Sequence, residues 1–409
     1  MRPPRSPPAV RRAPAAARPP IEVQATPAAR LGMSPAQFLQ RYWQKHPLLI
    51  RGAFAGYTPP LAPEDLAGLA CEEGVLARLI QRRPARGGGA ERWRVRSGPF
   101  AETDFTSLPP RLWTLLVQDV DKWDADLVPL LRAFDFLPRW RVDDIMISYA
   151  ADGGGVGAHV DQYDVFLVQG LGRRRWRIST DPAAPKDFRD DVELKLLRRF
   201  EPTHDWLLDP GDVLYLPPDV PHDGVAVGPC MTLSLGMRAP SAAELLLDLA
   251  EHLAEPLGEE QRYVDPDLEP AADPGEIDAA ALRRVDKALH ALRALDDAGL
   301  RQWFGGFITR YRSAQAARPR RRALSPREFE RLLAARPPML RNPWSRAAWT
   351  RAGRQADLFV AGSRWRVGVP LAVSLCAPGP IALPTRLGAA EREVLRELVN
   401  LGHYALLRG

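Results

Sequence analysis

Three residues of this chain have the types and spacing of a metal site. His159 and Asp161 stand two apart in Gly157-Ala-His-Val-Asp161, and His222 follows beside the turn residues Pro217, Pro218 and Pro221. In an extended strand residues i and i+2 face the same way, so an imidazole and a carboxylate converge from one strand on one point. Two histidines and one carboxylate on one face of an octahedron leave three positions open, the donor set of non-haem Fe(II) oxygenases. An isolated His-x-Asp pair is a weak signal. Here it gains weight from the glycine-rich approach, the β texture around it and the downstream histidine. Zinc suits the set less well, since it favours four ligands including cysteine or a third histidine. Cys71, Cys230 and Cys376 are scattered and form neither a zinc cluster nor a disulfide framework.

A second constellation is Arg173, Arg174 and Arg175 ahead of Trp176. Strand alternation sends Arg174 to the face opposite its two neighbours. A guanidinium turned into a barrel is costly unless an anion meets it, and a dicarboxylate is such an anion. Gly153, Gly154, Gly155 and Gly157 lack the Lys-Ser/Thr and following helix of a phosphate loop, so they read as a close backbone approach to the site. Asp152 before them and Asp164 after the ligand strand are candidates to hold a cationic substrate side chain at the mouth, with Asp152 preferred.

The elements that must position these residues are short β runs at Val142–Tyr149, Asp164–Gln169, Trp176–Ser179, Asp212–Leu216, Gly224–Val227 and Met231–Gly236, broken by Gly and Pro turns. Helical patterns flank them. Ser34-Pro35 reads as an N-cap and first helical position before Phe38, Leu39, Tyr42 and Trp43. Further helices are expected at Pro63–Ala70, Arg111–Trp123, Ala242–Leu257 and Ile277–Arg312. An acidic loop, Asp265–Asp278, separates the last two. After a linker with Arg318, Arg320, Arg321 and Arg322 comes a small mixed unit: helix Pro326–Ala335, strands Leu358–Val360 and Trp365–Val367, helix Ala389–Leu401 and a closing strand.

These motifs resemble the bacterial ribosomal oxygenases of the JmjC/cupin type. The resemblance is carried by Gly153-Gly-Gly-Val-Gly-Ala-His-Val-Asp-Gln-Tyr-Asp-Val-Phe166, Gly172-Arg-Arg-Arg-Trp-Arg177 and Pro210-Gly-Asp-Val-Leu-Tyr-Leu-Pro-Pro218. It extends to Tyr42-Trp-Gln-Lys-His-Pro47, Trp140-Arg-Val-Asp-Asp-Ile-Met-Ile-Ser148, Gly236-Met-Arg-Ala-Pro240 and Gln302-Trp-Phe-Gly-Gly-Phe-Ile308. It covers residues 32 to 312 well and the C-terminal unit loosely. It implies an α+β protein: a double-stranded β-helix core with a helical N-terminal flank, a helical dimerisation region and a C-terminal winged-helix-like domain. His159, Asp161 and His222 match the iron ligands, Arg174 the arginine that binds the distal carboxylate of 2-oxoglutarate, and Ser148 a serine assisting there. The implied reaction is Fe(II)- and 2-oxoglutarate-dependent hydroxylation of Cβ of an arginine in large-subunit ribosomal protein sixteen, yielding succinate and CO₂. Two positions depart from the family pattern. Ala158 replaces the proline usual before the first iron ligand, and Thr232 stands where a larger amide side chain is usual.

The expected domains are a disordered tail (1–31), a catalytic domain (32–240), a helical dimerisation region (241–315) and a winged-helix-like domain (316–409). The net charge is +6 over 409 residues. Within the first thirty residues six arginines face only Glu22, a net +5, so the remainder is close to neutral. Direct nucleic-acid binding is therefore not expected. No apolar run reaches the length of a membrane span. The Pro/Ala/Arg-rich start reads as a plain tail in preference to a targeting peptide, and the cytoplasm follows by default. A homodimer is what the resemblance implies, with the apolar positions Leu245, Leu246, Leu249, Leu253, Leu282, Val285, Leu289 and Leu292 recurring at helical spacing. The competing readings are a hydroxylase or demethylase of another protein, which shares the same triad, and a dimeric nucleic-acid-binding regulator using the C-terminal unit.

Overall fold

A computed structural model describes residues 19–83, 92–258, 262–268, 277–289, 295–312 and 314–407. Ten strands form one sheet: β1 (Glu22–Gln24), β2 (Leu48–Arg51), β3 (Ala77–Arg83), β4 (Arg92–Ser97), β5 (Trp113–Val117), β6 (Val142–Ala150), β7 (Val165–Ile178), β8 (His204–Leu208), β9 (Val213–Leu216) and β10 (His222–Met237). Their order is β1-β2-β9-β7-β10-β6-β5-β3-β4, with β8 pairing β7 off this path. The chain divides into two compact units that do not follow chain order. The first takes its described residues from 19–59, 78–116 and 148–234, and the second is made of 60–77, 117–147 and 235 onward.

Two faces of β7 organise the first unit. Val165 and Leu167 pack with Leu49, Leu208, Leu214 and Leu216 in one apolar cluster. Phe166 joins Phe38, Trp43 and Tyr215 in an aromatic cluster, with Phe38 meeting Tyr215 edge-on at 5.0 Å. Trp176 and Ile178 lie in the first cluster although their parity is that of Phe166. The faces exchange at Gly172, which sits at φ +59°. A Cβ there would stand 2.1 Å from the Pro229 carbonyl oxygen, so only glycine allows this crossing.

The second unit holds the helical region and the C-terminal module. Helix Ala242–Ala254 turns Leu245 and Leu249 against Trp303, Phe307 and Ile308 of helix Asp297–Arg310. The C-terminal module contains β11 (Met339–Arg341), β12 (Ala347–Ala352), β13 (Gln355–Val360), β14 (Ser363–Gly368) and β15 (Tyr404–Leu406). β12-β13-β14 form an antiparallel sheet, and β11 pairs β15. Around them lie helices Pro326–Ala334, Val369–Leu375 and Ala389–Asn400, over a core that includes Phe329, Leu358, Leu371, Leu395 and Tyr404.

Several sequence expectations are corrected. Order does not wait for residue 32, because β1 runs parallel to β2 and Glu22 pairs with Arg51 at 2.7 Å. Residues 1–18 lie outside the described residues. The helix expected over Arg111–Trp123 is strand β5 followed by a single helical turn, Val120–Trp123. Its run Thr-Leu-Leu-Val is buried on both faces, and a short run without polar alternation has no period that separates strand from helix. Left-handed residues at Leu112 and Asp119 bound it. The two runs expected at 164–169 and 176–179 are one strand, as are 224–227 and 231–236. The long helix expected over Ile277–Arg312 is two, Ala279–Ala288 and Asp297–Arg310, the second capped by Asp296. Most of the acidic loop, and Leu292 within the expected helix, lie outside the described residues.

Candidate metal centre

His159 lies between β6 and β7, and His222 opens β10. The two backbones form an isolated antiparallel bridge, His159 N donating to His222 O at 3.0 Å and the reverse at 2.9 Å. That pair of amide bonds sets the imidazoles 4.2 Å apart between ring centroids. Asp161 completes the group, its Oδ2 3.6 Å from Nε2 of His222. Donor atoms of His159, Asp161 and His222 all fall within 4.8 Å of one another, the one such group among the described residues.

Both rings are fixed from behind. Nδ1 of His159 lies 2.8 Å from the Gly157 carbonyl oxygen, and Nδ1 of His222 lies 2.8 Å from that of Val220. A carbonyl can only accept, so each Nδ1 carries the proton and each Nε2 keeps its lone pair for a metal. Burial, followed by the neighbouring His159, holds the His222 imidazole down at about 4 against the opposing pull of Asp161. It is therefore neutral and ready to ligate at neutral pH.

Arg174 is buried, at 4% exposure, between exposed Arg173 and Arg175. Its guanidinium sits 5.7 Å from the Trp176 ring, and that ring is 5.9 Å from the His222 ring. Nε and Nη2 of Arg174 and Nε1 of Trp176 are buried without a hydrogen-bond partner among the described residues. Unmet donors of this kind are costly unless a ligand accepts from them. A planar dicarboxylate end suits the guanidinium fork, so the residues fit a 2-oxoglutarate molecule beside the triad. Ser148 is also buried; its Oγ donates to the Thr232 carbonyl at 3.4 Å. Thr232 in turn donates to the Gln169 amide oxygen at 3.1 Å. An amide thus does stand at this position, contributed by the neighbouring strand.

The two carboxylates expected at the mouth are placed differently. Asp164 is fully buried, accepting from Tyr215 at 2.6 Å and from Gln44 at 2.9 Å. It shares a face with Phe166, so strand alternation turns it into the aromatic cluster and away from any substrate. Asp152 is part-exposed, but its oxygens already accept from the Gly228 N–H at 2.8 Å and pair with Arg111 at 2.7 Å. The residues that sequence reasoning missed are Trp176, Trp93 and Leu196. A Cβ on Gly157 would stand 2.9 Å from Leu196 and 3.1 Å from Trp93, so these two side chains crowd the approach to His159. Neither carries a motif, and only the fold brings them there.

Comparison with known proteins places this geometry. A JmjC domain model matches residues 129–245, an AraC-like ligand binding domain model 201–325, and a ROXA-like winged helix model 291–407. The chain is 39% identical to the ribosomal protein uL16 3-hydroxylase of Escherichia coli over 277 residues, 67% of this chain and 71% of that protein. The chain belongs to the ribosomal oxygenase family. This ribosomal oxygenase is also 38% identical over 237 residues to a probable ribosomal oxygenase of Haemophilus influenzae, covering 58% of this chain and 55% of that one. Its fold matches that of an Escherichia coli ribosomal oxygenase solved with cobalt and 2-oxoglutarate, with a TM-score of 0.76 and 33% identity, over 92% of this chain and 99% of that chain. The same enzyme solved with cobalt and succinic acid matches at a TM-score of 0.75. The α+β architecture with its cupin core and winged helix is thereby shared with the family.

Proposed function

We propose that the protein hydroxylates Cβ of an arginine in ribosomal protein uL16, using Fe(II) and 2-oxoglutarate. The observation that carries this reading is the cluster of one carboxylate and two back-bonded imidazoles within 4.8 Å, set in a JmjC fold. His159, Asp161 and His222 hold the iron. Arg174, assisted by Ser148, receives the far carboxylate of 2-oxoglutarate. When bound, iron and 2-oxoglutarate supply the O₂ chemistry that oxidises an unactivated C–H bond and releases succinate and CO₂.

The chain's own residues do the positioning. The carbonyls of Gly157 and Val220 keep both imidazoles in one tautomer and orientation. Asp161 contributes the negative charge that offsets part of the metal's. Trp176 walls the space between the triad and Arg174 and excludes water from it. A role for Asp152 in holding the substrate guanidinium requires that guanidinium to displace or join Arg111. The working division is a catalytic region to residue 240, a helical region to 315 that pairs two copies, and the winged helix beyond. Exposed Leu246, Leu247, Leu282, Val285 and Leu289 support pairing through that helical region. A cytoplasmic enzyme fits a ribosomal substrate, and among the described residues no helix is long and apolar enough to cross a membrane.

The test is turnover of a uL16 fragment with Fe(II), 2-oxoglutarate and O₂, followed by mass spectrometry of the peptide. One oxygen gained on arginine is expected. Oxygen on histidine, or loss of a methyl group from a methyl-lysine peptide with arginine untouched, would assign the enzyme to another branch of the same chemistry.

A further inference from the structure

Strands β3 and β4 form a two-stranded ribbon at one end of the sheet, and β4 is its edge. Both strands are unusually basic: Arg78, Arg82 and Arg83 on β3, Arg92, Arg94 and Arg96 on β4. Register sorts these by face. Leu79 opposes Arg96, Gln81 opposes Arg94 and Arg83 opposes Arg92. Directly opposed residues share a face, as do residues two apart, so Arg83, Arg92, Arg94 and Arg96 stand on one side. Successive members along β4 are about 6.6–6.8 Å apart. Arg96 is engaged by Asp104 at 2.6 Å. Arg83, Arg92 and Arg94 are exposed, and among the described residues none has an ion-pair partner.

The opposite face of the ribbon looks toward the metal centre. Trp93 packs on Gly157, and Arg82 donates to the Gly153 carbonyl oxygen at 3.2 Å. One side of the ribbon therefore roofs the approach to His159, while the other, beyond the buried Leu79, presents exposed Arg83, Arg92 and Arg94, unpaired among the described residues. Charged side chains on an edge strand do discourage edge-to-edge pairing. That purpose needs neither a single sign nor two arginines placed directly opposite each other, an arrangement that destabilises a strand pair. An arginine-rich file is offset by an anion that spans several of its members. A cationic ribosomal protein would be repelled by it and would call for carboxylates instead.

We propose that this outer face of the β3–β4 ribbon binds the phosphate backbone of RNA. The preference for RNA over other polyanions rests on the ribosomal-protein reading, since such a substrate lives on RNA. Guanidiniums bind phosphate through paired, charge-assisted hydrogen bonds. A flat file of guanidiniums on a strand surface meets the phosphates first, and phosphate contacts carry no sequence information, so the contact is independent of sequence. The near-neutral total charge of the folded chain conceals the patch, because acids elsewhere cancel it in the sum.

The experiment measures binding of the full-length protein to a labelled single-stranded RNA and to an RNA hairpin between about 50 and 200 mM salt. The triple variant Arg83→Gln/Arg92→Gln/Arg94→Gln should bind at least about tenfold more weakly. Its log-log salt slope should be shallower by about 2, as loss of three phosphate contacts on a single strand implies. The triple Arg→Lys variant should keep most of the binding, since charge is retained. Because the tail is also basic, Arg2→Gln/Arg5→Gln/Arg11→Gln/Arg12→Gln is measured alongside and should retain the greater part. Unchanged RNA affinity in the Gln triple variant, loss confined to the tail variant, or an equal loss in folded Gln and Lys variants each overturns the proposal. So does tighter binding to phosphatidylglycerol vesicles than to RNA. Hydroxylation of a short free uL16 fragment by the Gln triple variant should match the parent, and that arm reads the proposed activity separately. RNA binding without hydroxylation rejects the function, and hydroxylation without RNA binding rejects this surface.

Discussion

At the scale of single residues, the centre separates what builds the site from what it works with. The main-chain bridge between His159 and His222 does not depend on either side chain. Asp161→Ala and His222→Ala should therefore leave the thermal midpoint near the parent's while removing tight Fe(II) binding and turnover. Calorimetry and a metal titration check the two halves; wild-type-like turnover in either variant with iron present would remove the triad assignment. Arg174 meets a different partner. Breaking a buried charge pair costs about 3–5 kcal/mol, so Arg174→Ala should raise the 2-oxoglutarate requirement on the order of a hundredfold or more, with iron affinity nearly unchanged. Arg173→Ala and Arg175→Ala should change it little, as both are exposed and Arg175 is engaged with Asp205. A KM for 2-oxoglutarate that moves in a neighbour variant and not in Arg174→Ala would reassign the cosubstrate arginine.

At the scale of elements, the glycine approach brings one stretch of backbone against another. A Cβ at Gly155 would stand 2.5 Å from the Gly224 carbonyl oxygen, two residues beyond His222. At Gly154 it would stand 2.2 Å from the Trp113 carbonyl oxygen. Neither obstacle is a flexible side-chain end, so strands must separate to admit a methyl group. Gly155→Ala is expected to cost about 1–3 kcal/mol or more and to weaken iron binding, because the displaced backbone carries His222. Gly228→Ala is the control. It meets nothing within 4 Å and bears only the left-handed backbone penalty at φ +74°, about 1–2 kcal/mol. Denaturant midpoints and iron titrations of the two variants should diverge in metal affinity; equal metal affinity would show that the approach does not set the triad.

At the scale of the whole molecule, the helical region leaves apolar side chains in water. Leu246 and Leu247 are 66% and 73% exposed, whereas Leu245 and Leu249 on the same helix pack against Trp303, Phe307 and Ile308. A helix that satisfies one stripe internally and exposes another has a second surface to cover. Leu246→Asp/Leu247→Asp should convert a dimer to a monomer in sedimentation at micromolar concentration without unfolding either unit. A monomeric parent under the same conditions would remove the assembly.

The sequence by itself determined the chemistry. His159-x-Asp161 and His222 were legible as residue types at a short spacing, although the pair lies in the connection between β6 and β7, bridged to His222, and not in a strand. The N-cap Ser34 with Pro35 was legible because capping is local. Tertiary structure decided the rest. Strands β3 and β8 carry mixed sequences without a two-residue period, and their identity comes from the partners that pair with them. The inward turn of Arg174 depends on the face exchange at Gly172, which exists because the Pro229 backbone passes close by. Asp164 looked like a mouth residue from its place in the chain, yet Tyr215 and Gln44, 51 and 120 residues away, claim its carboxylate. Local periodicity can name which atoms are able to bind a metal. Which side chains wall the site, and which charges gather on one face, is fixed by contacts between segments far apart in sequence, where no local pattern reaches.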